Sequence, residues 1–117
     1  MNKRAIGTNQ EIKAAEYLKN QGYEILERNF RCRIGEIDII ARDGRYLVFV
    51  EVKYRKSTRY GGAVYAVDYK KQAKISKVAD YYMLKNQIPE NSACRFDVVA
   101  IDDEKIELLK NAFEYRG

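Results

Sequence analysis

Histidine is absent from the 117 residues of this chain. Without imidazole there is no Ser-His-Asp or Cys-His arrangement, and no side chain whose ordinary pKa makes it a general base near neutrality. Any hydrolysis has to rest on carboxylates, lysine, tyrosine or water activated by a metal. Cysteine is scarce as well. Cys32 and Cys94 have no Cys-x-x-Cys partner, which argues against structural zinc, and both read as free thiols. Long apolar runs are also missing. Nothing approaches the length of a membrane span, and MNKRAIGTNQE has no hydrophobic signal core. The expectation is a cytoplasmic protein with no membrane partner. Repeats, low-complexity tracts and linkers are absent, so residues 1–117 read as a single domain, too short for two.

What is present is a hydrophobic content of 46% with 33% charged residues, the balance of a folded soluble protein. The most informative stretch is Gly35 to Arg55, GEIDIIARDGRYLVFVEVKYR. Residues 36–41 alternate, which predicts a strand with Glu36, Asp38 and Ile40 on one face and Ile37, Ile39 and Ala41 on the other. Asp43-Gly44 supplies tight-turn chemistry. Tyr46 to Val52 is almost continuously apolar and β-branched or aromatic, as in a strand covered on both faces. Leu47, Phe49, Glu51 and Lys53 share one side of it. Two charges therefore appear at the end of a buried strand, opposite Asp38 on its hairpin partner. A buried carboxylate is costly without a cation or hydrogen bonds. Either Glu51 and Lys53 neutralise each other, or Asp38, Glu51 and Lys53 form a site for a hard metal ion with an ammonium beside it.

The charge distribution favours the second reading. From Lys53 to Lys77, eight basic residues (Lys53, Arg55, Lys56, Arg59, Lys70, Lys71, Lys74, Lys77) face one acid, Asp68. That segment carries +7 of an overall +5, leaving the rest of the chain at −2. Such a concentration suits phosphate contacts. Arg55, Lys56, Arg59, Lys70, Lys71 and Lys74 are the candidate nucleic-acid-binding residues. Tyr54, Tyr60, Tyr65 and Tyr69 are interleaved with them, and core packing is the expectation for these rings over base stacking.

Coarse patterning gives the order α-β-β-β-α-β-β. Thr8 to Asn20 reads as a helix with Thr8 and Glu11 matching a capping box, Ile12, Ala15 and Leu18 facing inward, and Gly22 as its stop. Strands follow at 23–30, about 34–42 and 46–55. Ser57–Val67, with Gly61-Gly62, reads as a loop. Asp68 caps a second helix to about Lys85, with Ile75, Val78, Ala79 and Tyr82 on its core side and Gln72 one turn before them. Pro89 falls in the next loop, and strands at 95–101 and about 105–110 close the chain. The expected fold class is α/β (α+β), a mixed central sheet flanked by helices.

These motifs carry a resemblance. Gly7 and Glu11 in G-x-x-x-E, GEIDII at 35–40, FVEVKYR at 49–55, KKQAK at 70–74 and RFDVV at 95–99 resemble the YraN-like family over nearly the whole chain. That family is similar to restriction-endonuclease-like nucleases and, among them, to archaeal Holliday-junction resolvases. The resemblance implies an αβββαβ core with an extra C-terminal strand. It also implies that Asp38 and Glu51 bind Mg²⁺, or Mn²⁺ in its place, with the Val52 carbonyl as a third oxygen ligand. Lys53 would orient the attacking water or stabilise developing phosphate charge. Glu11 would reach the site from its helix, and Gln72 would position water or phosphate. Competing readings stay open: Glu11 as a capping glutamate, Gln72 as a helix-to-sheet hydrogen bond. Glu36 could add a ligand, although the resolvase-like pattern lacks one there. Asp97 reads as structural, bonded to a nearby Arg or the backbone.

The expected function is a Mg²⁺-dependent endonuclease acting on structured or branched DNA in repair or recombination. The alternatives are a nucleic-acid-binding module that keeps the nuclease fold without cutting, and a nuclease acting on RNA. A homodimer is expected where the substrate has two-fold symmetry.

Overall fold

The computed structural model describes residues 3–54, 67–102 and 105–116. Two helices and five strands follow one another as α1 (Lys3–Asn20), β1 (Glu24–Arg31), β2 (Glu36–Asp43), β3 (Tyr46–Tyr54), α2 (Tyr69–Lys85), β4 (Cys94–Ile101) and β5 (Ile106–Phe113). The strands form one sheet in the order β1-β2-β3-β4-β5. Only β3 and β4 run parallel, joined by the crossover through α2; every other neighbouring pair is antiparallel. The sheet is thus mixed, with a helix on each face, as expected.

The sequence accounts for the two faces. On the α2 side, Ile75, Val78, Ala79 and Tyr82 of the helix pack on Ile40, Leu47, Phe49, Phe96 and Val98. On the α1 side, Ala14, Ala15 and Leu18 cover Ile39, Ala41, Val48, Val50, Val99 and Ile101. β3 is buried from Leu47 to Val50 because both helices cover it. Asp68 caps α2 as its sequence predicts, accepting the Lys71 N–H at 2.8 Å.

Four local expectations are corrected. α1 begins at Lys3, so Thr8 lies inside the helix and is not its cap; no proline precedes it to stop the helix. Ile12 is 43% exposed, and Ala14 takes its expected inward place beside Ala15 and Leu18. The hairpin turn is one residue later than expected: Asp43 still pairs with Tyr46, and Gly44-Arg45 forms the loop with Gly44 at φ +60°. Finally, Ile37 packs on the α2 side with Ile40, while Ile39 and Ala41 face α1. Side-chain alternation along β2 therefore slips at Asp38.

The segment between β1 and β2 is drawn tightly onto α2. A Cβ at Gly35 would lie 3.1 Å from Lys74 Cδ and 3.5 Å from Val78 Cγ2. The glycine opening the GEIDII motif thus lets the α2 lysine stem lie against the start of β2.

Candidate active site

The β2–β3 ladder runs from Asp43↔Tyr46 to Ile39↔Val50. One step beyond its last pair, Asp38 Oδ2 accepts the backbone N–H of Val52 at 2.8 Å. A side chain thus replaces a ladder carbonyl where the alternation slips, and the Asp38 carboxylate is held in the plane between two strands. Glu51 is adjacent, its side chain 13% exposed, and its carboxyl feels the Asp38 charge. From the α1 side of the sheet, Glu11 faces the charge of the same Asp38 carboxylate. The sequence could not settle whether Glu11 belonged to a cap or to the site, and the fold brings it to Asp38.

Three carboxyl groups this close compete for positive charge. Burial, then the charge on Asp38 and a contact with it, push Glu11 up to about 7, with Glu36 adding to the rise and Arg28 opposing it. Glu51 is pushed up to about 8, by burial first and the Asp38 charge second, with Lys71 and Lys53 pulling against them. Asp38 is itself raised by burial, though the Val52 N–H and Glu51 stabilise its anion. Glu11 and Glu51 thus release their protons near neutrality rather than in the usual carboxylate range. Such a cluster takes up either protons or a cation.

The cations come from two elements. Lys71 Nζ on α2 lies 3.9 Å from Glu51 Oε2, a long contact that leaves the ammonium well solvated. Lys53, two residues along β3, acts on Glu51 through its charge. Glu36, which could have added a ligand although the resolvase-like pattern lacks one there, is tied to Arg31 at 3.0 Å and affects Asp38 and Glu11 only electrostatically.

The donor set suits a hard divalent ion: carboxylate oxygens, already short of positive charge, beside a strand that offers the Val52 carbonyl. Among the described residues, no three His, Cys, Asp or Glu side chains are grouped as a ready metal cage. The protein would therefore contribute few oxygens, leaving the rest to water and phosphate, the coordination Mg²⁺ tolerates.

Gln72 is buried, and its amide is engaged: Nε2 donates to the Val67 carbonyl and Oε1 accepts from Arg116 Nε at 2.6 Å. Among the described residues, no bond joins it to Asp38 or Glu51. Lys70 and Lys74 are exposed on the first turns of α2. Arg55, Lys56 and Arg59, with most of the expected 57–67 loop, lie outside the described residues. Tyr69 is 70% exposed, against the expectation of core packing. Asp97 is fully buried and structural as expected, bonded to Arg95, Tyr23 and the Asn111 N–H. Cys32 and Cys94 are free thiols, half-buried beside the α2-side core.

The model of Uncharacterised protein family UPF0102 matches residues 10–101, a span that holds Glu11, Asp38, Glu51, Lys53 and Gln72. The chain belongs to this family. It is 53% identical over 117 residues to a UPF0102 protein of Lachnoclostridium phytofermentans, covering 100% of this chain and 99% of that one. A UPF0102 protein of Caldicellulosiruptor saccharolyticus is 47% identical, covering 97% of this chain and 100% of its own. One of Thermodesulfovibrio yellowstonii is 50% identical, covering 92% and 95%. The YraN-like resemblance read from the motifs is thus to the UPF0102 family.

Two residues of this UPF0102 protein were not assigned their observed roles from sequence. Lys71 stood out only as one basic residue among many; its spacing from the Asp68 cap turns it toward β3 rather than outward. Arg116 left no local signal, because its partners Gln72 and Ser76 are remote in sequence.

Proposed function

We propose that this protein is a Mg²⁺-dependent endonuclease that hydrolyses phosphodiester bonds in structured or branched DNA, in repair or recombination. The observation that carries the proposal is the meeting of the Asp38 and Glu51 carboxyls where the β2–β3 ladder ends, beside Lys53 and below the basic first turns of α2. The likeness of its motifs to restriction-endonuclease-like nucleases and archaeal resolvases supports the same reading. No helix among the described residues is long and apolar enough to cross a membrane, and the setting we infer is the cytoplasm.

In this reading Asp38 and Glu51 hold the divalent ion, with the Val52 carbonyl beside them. The ion, when bound, neutralises charge on the scissile phosphate and acidifies a water. Asp38 is fixed for this by the Val52 N–H, and so needs no rearrangement when substrate arrives. Lys53 places an ammonium against charge that builds on the phosphate. Glu11 takes or returns a proton at its carboxyl, being poised near neutrality. Lys70 and Lys74 contact phosphates, fixing register without reading sequence.

The test is a panel of duplex, single-stranded, flap and four-way DNA with Mg²⁺ or Mn²⁺. Cleavage that needs metal and vanishes in Glu51→Ala and Lys53→Ala, with DNA binding retained, supports the proposal. A wild-type protein inert on the whole panel sinks it. One observation favours the alternative of a non-cutting binding module: Lys71 already offsets part of the Glu51 charge. That reading predicts binding with a steep salt dependence and no metal uptake. Paired cuts on a four-way junction would require a homodimer, which light scattering would detect.

A further inference from the structure

After β5 the chain turns back over α2. Tyr115 donates its hydroxyl to Asp80 Oδ2 at 2.6 Å, and the Arg116 backbone N–H donates to Ser76 Oγ at 2.9 Å. Arg116 Nε donates to Gln72 Oε1 at 2.6 Å. Gln72 and Ser76 are both buried, and the other end of the Gln72 amide is held by the Val67 carbonyl. Two buried polar side chains are therefore devoted to fixing one exposed arginine. Its guanidinium carbon sits 4.2 Å from the centroid of the Tyr69 ring, which is 70% exposed. Among the described residues no carboxylate pairs with Arg116. Lys70, Lys71 and Lys74 stand on the adjoining turns, and Lys71 reaches Glu51.

An arginine fixed through Nε keeps its two terminal amino groups for a bidentate acceptor, and phosphate matches that fork. A tyrosine ring covered on one face by guanidinium presents its other face to whatever stacks there. Nucleobases in duplex DNA are already stacked on each other, whereas an unpaired base has a face to give. We infer that Tyr69 and Arg116 form a site for an unpaired nucleotide. The ring receives the base, the guanidinium receives its phosphate, and Gln72 acts as the residue that positions Arg116. The inference rests on the DNA-binding part of the proposed function. It names the single-stranded portion of branched DNA as the feature recognised next to Glu51.

The experiment measures binding without metal, in EDTA, to a blunt duplex and to the same duplex with a short single-stranded overhang carrying 2-aminopurine. Wild-type protein is expected to bind the overhang substrate more tightly and to quench the 2-aminopurine. Tyr69→Leu, at an exposed position that leaves the fold intact, should abolish the quench and cost about tenfold on the overhang substrate alone. Arg116→Gln should weaken overhang binding and reduce the salt slope by about one. Equal wild-type affinity for both substrates, no quench, or an equal loss on both in Tyr69→Leu overturns the inference. A purely structural tail would lower the melting temperature in Arg116→Gln without changing the ratio of the two affinities, and that also overturns it. Cleavage reports on the nuclease reading separately. A protein that prefers overhangs but never cuts removes the nuclease and keeps this site, and one that cuts without the preference does the reverse.

Discussion

Asp38 Oδ2 and the Val52 N–H meet at 2.8 Å, one step past the last regular pair of the β2–β3 ladder. The bond satisfies a backbone donor at the centre of the sheet and holds the carboxylate still. Asp38→Asn keeps an acceptor for that N–H, and Asp38→Ala does not. An orphaned, partly buried N–H costs about 1–3 kcal/mol. Urea denaturation should therefore find Asp38→Asn more stable than Asp38→Ala by about 1 kcal/mol or more, with both unable to cleave. Equal stabilities would mean that the bond carries no weight.

The crowded carboxyls give a pH dependence of unusual sign. Glu51 is raised from 4.5 to about 8, so the folded protein binds this proton more tightly than the unfolded chain does. The associated stability is fully present below pH 4.5 and is lost as pH rises toward 8. Glu11, raised to about 7, acts in the same direction. Glu51→Gln removes the Glu51 part of that slope. Measured in EDTA, its melting temperature relative to wild type should climb between pH 5 and pH 8.5. A difference that stays flat across this range would show that Glu51 ionises in the folded protein as it does in the unfolded one.

Asp97 is fully buried on β4 opposite Val50, where β4 and β5 lose register between Phe96 and Val98. Arg95 binds it through Nε at 2.9 Å and through a terminal nitrogen at 3.0 Å, and the Tyr23 hydroxyl donates at 2.7 Å. Its Oδ1 also accepts the N–H of Asn111, which adopts φ +54° at the irregularity. Removing one partner of a buried charge pair costs about 3–5 kcal/mol. Asp97→Ala should lose that much in chemical denaturation, whereas Tyr23→Phe should lose about 1–3 kcal/mol. A near-neutral Asp97→Ala would contradict the network's role.

Gly35 and Lys74 should be energetically coupled. A methyl at Gly35 meets Lys74 Cδ at 3.1 Å and Cγ at 3.2 Å, close enough that the lysine stem must move. Gly35→Ala should cost about 1 kcal/mol, and most of that cost should disappear in a Lys74→Ala background. A double-mutant cycle reads the coupling directly. Additive losses would place the origin in the backbone.

Features set by short-range chemistry were legible in the chain. The apolar run of β3 marked a strand covered twice, and the two-residue period put Glu51 and Lys53 on the side of Leu47 and Phe49. Asp68 read correctly as a cap, and the 75-78-79-82 spacing as the buried side of α2. What escaped depended on distant partners. Nothing near Ile37 signals that β2 slips at Asp38, where the regular pairing with β3 has ended. Ile12 looked buried because helical periodicity does not say where the sheet beneath ends. Thr8 and Glu11 matched a capping box, yet the helix ran through it and freed Glu11 to reach Asp38. Lys71 and Arg116 acquired partners only when α2 crossed the sheet and the tail returned to it.

The parallel pairing of β3 with β4 has a consequence for how the chain matures. Leu47 through Tyr54 align with Cys94 through Ile101, and all of α2 must be made before that alignment can form. Asp38 and Glu51 are synthesised early, in a hairpin that closes locally. Lys71 and Val98, which pairs with Glu51 from β4, arrive later, by a contact whose loop entropy makes it slow. The contact of Lys71 with Glu51 is therefore among the last that the chain makes.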